Sequence, residues 1–130
     1  MKTRIFFLSL FALLVLIGCS TPSSTTGSNP TSNAAGNAIN GKITGSQYKD
    51  HKIYFNVNQQ LVVNMEAGSP TCYFNILTPE GEMIHNGSSN GNKFSGTMSF
   101  TGYYTVRVYL MGAAKSENQR VNYTIRYTLQ

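Results

Sequence analysis

Few side chains in this sequence are able to do acid–base or nucleophilic work. The 130 residues include five acidic side chains, Asp50, Glu66, Glu80, Glu82 and Glu117, and two histidines, His51 and His85. Asp50 and His51 are neighbours, but consecutive residues of a strand point to opposite faces, so they are poorly placed for a dyad. Glu80 and Glu82 flank the Pro79–Gly81 turn and can approach each other as a glycosidase pair must. A tight exposed turn offers no cleft to raise either pKa, so they read as solvated turn charges. His85 and Glu82, even with a cysteine added, do not cluster as zinc ligands do. There is no Gly-x-Ser-x-Gly elbow and no phosphate-binding glycine loop. Cys72 runs in phase with Phe74 and Ile76 and has no base near it in sequence, so it reads as a buried core thiol. The expectation is a binding module without cofactor or metal, not an enzyme.

The elements that must carry these residues are strands. Ile53, Phe55 and Val57 alternate with Tyr54 and Asn56, and Leu61, Val63 and Met65 with Val62 and Asn64. Cys72, Phe74 and Ile76 share one face, and Phe94, Met98 and Phe100 mark a later strand. The strongest alternation is Tyr104, Val106, Val108 and Leu110 against Tyr103, Thr105, Arg107 and Tyr109. Tyr123, Ile125, Tyr127 and Leu129 close the series, and weaker strands lie near Lys42–Ile43 and Met83–His85. Turn signals separate them: Asn58-Gln59, Gly68-Ser69-Pro70, Thr78-Pro79-Glu80-Gly81, Asn86-Gly87, Asn90-Gly91 and Thr101-Gly102. Short alternating strands at near-regular spacing predict an all-β fold, an antiparallel β-sandwich of about eight strands. Gly112 to Arg120 is a longer polar connection with room for one helical turn. Val106 and Val108 are expected to be buried, with Thr105 and Arg107 facing out. Val106→Ala should then cost about 1–3 kcal/mol and Thr105→Ala almost nothing. Outward Tyr103, Arg107, Tyr109 and Arg126 suit stacking on bases or sugars, but they are also ordinary on an exposed sheet face.

Composition narrows the class. Charged residues make up 12% of the chain, about half of the usual ~25%. That excludes a multidomain enzyme, a coiled coil and a nucleic-acid binder built on basic runs. The N-terminus reads as an address: Lys2 and Arg4, an apolar run from Ile5 to Ile17, then Leu16-Ile17-Gly18-Cys19. The run is short of the ~20 apolar residues of a membrane span, and its end resembles the lipobox of bacterial lipoproteins. That resemblance implies a signal peptide over residues 1–18 and a Cys19 carrying lipid such as palmitate, with membrane attachment through it. Ser20, where inner-membrane lipoproteins commonly carry Asp, points to the outer membrane facing the periplasm. Export argues against a nucleic-acid partner. Removing Lys2 and Arg4 leaves a mild positive bias. Residues 19–38, with their Ser, Thr, Asn, Gly and Pro, read as a tether holding the domain roughly 25 Å from the lipid. Residues 39–130 are the sandwich domain. With Cys19 lipidated, Cys72 has no partner for an internal disulfide.

Gly41-x-Ile43-x-Gly45-x-x-Tyr48, the strands through Val57 and Leu61–Met65, Tyr73-Phe74, Thr101-Gly102-x-Tyr104-x-Val106-Arg107-Val108 and Tyr123-x-Ile125 together resemble the bacterial periplasmic inhibitors of g-type lysozyme. The central part is similar as well to the pre-peptidase C-terminal domains of secreted proteins. Both resemblances imply a β-sandwich. The first implies that loops at one end plug the cleft of a peptidoglycan-cleaving lysozyme. It places Ser46, Gln47 and Tyr48 on one loop, and Gly112, Lys115 and Ser116 on another. Where the inhibitors tend to carry arginines in the long loop, this chain has Gly112 and Ser116, leaving Lys115 alone to supply charge. Tyr48 is then either part of a binding surface or an aromatic closing the sandwich end. The second resemblance implies an envelope lipoprotein that binds a glycan or another envelope protein. An exposed Tyr48 with Lys49 and Lys115 nearby favours the first. A flat face of Tyr103, Tyr109 and Tyr127 favours the second.

Overall fold

The computed structural model describes residues 36–130. Their chain order is β1 (Asn37–Thr44), β2 (Tyr48–Phe55), β3 (Gln60–Ala67), β4 (Cys72–Leu77), β5 (Met83–Asn86), α1 (Gly87–Asn90), β6 (Lys93–Thr97), β7 (Gly102–Leu110), α2 (Gly112–Ser116) and β8 (Arg120–Leu129). The strands form two four-stranded sheets, β1-β8-β3-β6 and β2-β7-β4-β5, and every pairing is antiparallel. This is the expected sandwich. The alternation explains it: one face of each strand is apolar and must be covered, and the inner face of the other sheet covers it. Phe55, Leu61, Phe74, Ile76, Tyr104, Val106, Val108 and Ile125 are fully buried between the sheets. Each such aliphatic or Phe side chain contributes roughly 1.5–3 kcal/mol relative to exposure. Tyr104 buries its ring and returns its hydroxyl to the β6–β7 turn, where it accepts from the Phe100 amide and donates to the Phe100 carbonyl. Cys72 lies in the core as expected, and burial pushes its thiol up to about 11.

Four details differ from the alternation as read. Thr105 does face away from Val106, yet it is buried, at 6% exposure. Its lateral neighbours in the sheet, Lys52 on β2 and Leu77 on β4, roof it over, and the Lys52 ammonium donates to its hydroxyl. The near-neutral outcome for Thr105→Ala therefore does not stand, because both a contact and a hydrogen bond would go. Val57 and Phe100 lie in turns beyond the strands and are exposed, and β6 ends at Thr97. Tyr127 is only partly buried and Leu129 is exposed, because β8 runs past the end of the core. The strand read as a weak one near Lys42–Ile43 is the full eight-residue β1, Asn37–Thr44. The Gly112–Arg120 connection does hold one helical turn, α2.

Both histidines are drawn inward. The His51 Nε2 and the Tyr123 hydroxyl share a hydrogen bond of 2.8 Å, and burial pushes the Tyr123 phenol up to about 12. The His85 Nε2 donates to the Gly91 carbonyl at 3.0 Å, its ring between Phe74 and Phe94. Burial holds both imidazoles below the ordinary 6.5, and Lys49 adds to the effect at His51. The unfolded chain therefore takes up protons first as pH falls. Their contribution is complete above about pH 6.5 and is lost as pH drops through that value toward the folded-state pKa. Asp50 titrates lower still and does not enter this window. The melting temperature should decline between pH 7.5 and 5.5, by roughly the sum of two small histidine effects. In a His51→Gln, His85→Gln double variant that slope should flatten, and an unchanged slope would assign it to other groups.

Candidate functional site

The β1–β2, β3–β4, β5–β6 and β7–β8 connections share one end of the sandwich, because the strands are antiparallel and run end to end. Two of these connections carry the residues singled out above, and the backbone ties them together. Gly45 has a positive φ of 55° and sits against Asn118, where a side chain would collide with the Asn118 amide oxygen. Its amide donates to the Gln119 carbonyl at 3.1 Å, and the Gln47 amide closes the turn onto Thr44. Ser46 and Gln47 are thus held outward on a turn braced by the β7–β8 connection. In that connection Ala114 is buried and anchors α2, while Gly112, Lys115 and Ser116 stay exposed. The Met111 amide donates to the Thr71 carbonyl, and the Ser116 hydroxyl turns back onto the Gly112 carbonyl. The two stretches therefore do meet at one end. Arg120, opposite Thr44 in the first sheet, is exposed beside them.

Tyr48 does not close the sandwich. It is 61% exposed, on the outer face of the second sheet at the start of β2. The Arg107 guanidinium carbon lies 4.3 Å from the centroid of its ring, a cation–π contact. The same guanidinium donates through Nε and Nη2 to the two Asp50 carboxylate oxygens at 2.7 and 2.8 Å. That hydrogen bond, assisted by charge, holds the Asp50 carboxyl below the usual carboxylate range and raises Arg107 further. The register makes the cluster: Tyr48 faces Tyr109 and Asp50 faces Arg107 across β2 and β7, and Tyr109 faces Tyr73 across β4. Asp50 and His51 point to opposite sides, as expected, one to Arg107 and the other to Tyr123. Arg107 and Asp50 are the residues the loop-based reading missed. Their outward phase was visible in the alternation, but the strand register that stacks Arg107 on Tyr48 was not.

The rival face does not form. Tyr103 and Tyr109 stand on β7 of the second sheet, whereas Tyr127 is on β8 of the first and packs against the core. Lys49 is exposed but points to the face of β2 opposite Tyr48, toward His51 and the first sheet, whereas Lys115 is exposed on α2 at the Tyr48 end. Among the described residues no group of His, Cys, Asp or Glu is arranged to hold a metal ion. Glu80 and Glu82 are exposed in their turn. Cys19 and the signal segment lie outside the described residues.

The sequence matches no family model and no curated protein. Solved structures do match. The Aeromonas hydrophila periplasmic inhibitor of g-type lysozyme superposes with a TM-score of 0.65 at 22% identity, over 75% of this chain and 89% of that one. The domain has the fold of the periplasmic g-type lysozyme inhibitors. A mutant of the Escherichia coli inhibitor and the Salmonella Typhimurium inhibitor each give a TM-score of 0.56 at 15% identity. They are covered over 91% and 90% of their lengths. The likeness to the g-type inhibitors thus takes in nearly their whole domain, at an identity that speaks for the fold.

Proposed function

We propose that this chain is a lipid-anchored envelope protein that inhibits a lysozyme by seating the Tyr48 end of its sandwich in the enzyme's substrate cleft. The observation that carries the reading is an exposed aromatic, Tyr48, braced by Arg107 and Asp50 beside two interlocked loops, on the fold of known lysozyme inhibitors. Lysozyme clefts hold carboxylates that do the chemistry. A protein that blocks one needs a projecting group to exclude substrate and donors to meet those carboxylates. Tyr48 supplies the first, and Lys115 with the Arg107 N–H groups not taken by Asp50 supply the second. Arg107 takes the part that an arginine in the long loop would have played, from the neighbouring sheet. The outer membrane facing the periplasm, with attachment through lipid on Cys19, fits an inhibitor that meets wall-cutting enzymes as they arrive.

The test is steady-state inhibition by the chain from Ser20 onward, assayed against g-, c- and i-type lysozymes on the same peptidoglycan. Saturable inhibition of the g-type enzyme at or below micromolar protein is the expected result. No inhibition of any type at that concentration would leave the sandwich as a non-inhibitory binder of glycan or protein, a retained fold with a different site.

A further inference from the structure

The end of the sandwich opposite Tyr48 is unusually apolar. It exposes Tyr54, Val57, Met83, Phe100, Tyr103 and Leu129, with Tyr103 at 61%, Tyr54 at 50% and Val57 at 47%. At the Tyr48 end only Tyr48 and Met111 are exposed large hydrophobic residues among those described. Val57 and Phe100 occupy turns, where nothing in the turn chemistry calls for an apolar side chain. Local choices that work against solubility in this way mark a functional surface. These turns are also fixed. The Thr101 hydroxyl accepts from the Val57 amide at 2.9 Å, the Tyr104 hydroxyl clasps both backbone groups of Phe100, and Pro79 packs against Gly102. Tyr54 and Tyr103 meet edge to face with centroids 5.2 Å apart. The apolar groups are therefore held outward and do not fold back on the core.

This is also the end at which the chain joins the domain. β1 starts at Asn37, paired with Tyr127 near the end of β8, and runs away from it toward Thr44. Cys19 lies upstream through the Ser-, Thr- and Asn-rich tether of residues 19–38, whose roughly 25 Å is an average reach that also lets the domain come down onto the lipid. We propose that this apolar end rests on the bilayer to which Cys19 is anchored, with Val57 and Phe100 dipping into the headgroup region and Tyr54 and Tyr103 at its margin. The inference rests on the lipid-anchor reading. Tyrosine suits that depth because its ring is apolar and its hydroxyl wet. The tether makes weak contacts sufficient: it sets an effective surface concentration in the millimolar range, so an intrinsic affinity of about that order keeps the end seated. Glu80 and Glu82 flank the patch, so the surface it fits is zwitterionic lipid held by apolar contact, not an anionic one held by charge. The strands then act as struts. Eight residues of β2 at ~3.3 Å each place Tyr48 roughly 25 Å from the lipid, facing outward.

The chain has no tryptophan, so a single introduced indole reports its own surroundings. Full-length lipidated protein carrying Phe100→Trp is reconstituted into zwitterionic phosphatidylethanolamine–phosphatidylcholine vesicles with brominated acyl chains. Val57→Trp serves as a second reporter should the first disturb its turn, and Tyr48→Trp reports on the far end. Expected are a blue-shifted emission at residue 100 or 57 and quenching at least about twofold, unchanged in about 0.5 M salt, with none at residue 48. Protein that floats with the vesicles but shows equal quenching at both ends, or none at either, overturns the seated orientation and leaves the anchor intact. Protein that does not float, and behaves as a Cys19→Ala variant does, removes the anchor reading and this inference with it.

Discussion

Arg107→Ala should weaken lysozyme inhibition by about tenfold or more while moving the melting temperature little. The guanidinium does two things at once: it caps the face of Tyr48 and neutralises Asp50 through two hydrogen bonds. Removing it frees the Tyr48 ring and leaves an unpaired carboxylate on a surface meant to meet the carboxylates of an enzyme cleft. The freed ring must be ordered again on binding, and the bared Asp50 repels the cleft carboxylates; together these reach about the 1.4 kcal/mol of a tenfold change. Stability should hardly respond, because the Arg107–Asp50 pair has side-chain exposures of 38% and 29%, and pairs that open to water are worth about 0–1 kcal/mol. Arg107→Lys should recover only part of the loss, since an ammonium cannot grip both carboxylate oxygens while lying flat on a ring. Tyr48→Ala should match Arg107→Ala, and Lys115→Glu should act mainly at low salt, as a rim charge does. Inhibition constants within twofold of wild type for both Arg107→Ala and Tyr48→Ala would remove this cluster from the interface.

The largest loss of stability should come from Phe74→Ala. Phe74 is fully buried on β4, packs its ring on His85 at 4.7 Å between centroids, and belongs to the core shared by both sheets. A domain of this size has a thin core, so it relaxes poorly around a void. The expected cost is about 3–5 kcal/mol, a drop in melting temperature of at least about 12 °C for a domain of fewer than about 100 residues. Urea unfolding followed by tyrosine fluorescence measures it. A cost below about 1 kcal/mol would mean that the two sheets do not share one packed core at this point.

Period-two alternation was enough to read the sandwich because burial on one face is a property of each strand alone. Phe74, Val106 and Ile125 all fall inward for that reason. Where lateral neighbours decide, sequence was silent. Thr105 looked like a solvent-facing threonine, and only the register bringing Lys52 and Leu77 alongside shows that it is covered. The same holds at the site. The two loops could be named from their residues and turn signals, but Asp50 and Arg107 are 57 residues apart and meet only through pairing of β2 with β7. Phe100 misled because an apolar residue in phase with Met98 reads as strand, while its backbone is held in a turn by Tyr104.

The central claim is that the Tyr48 end fills a lysozyme's substrate cleft. It is tested most directly by titrating the chain from Ser20 onward into g-type lysozyme, with and without a saturating N-acetylglucosamine oligomer. Occupancy of the cleft makes the two ligands exclusive, so the apparent affinity for the chain should fall in proportion to oligomer concentration. Lysozyme that binds the chain with the same affinity when its cleft already holds the oligomer would contradict the account.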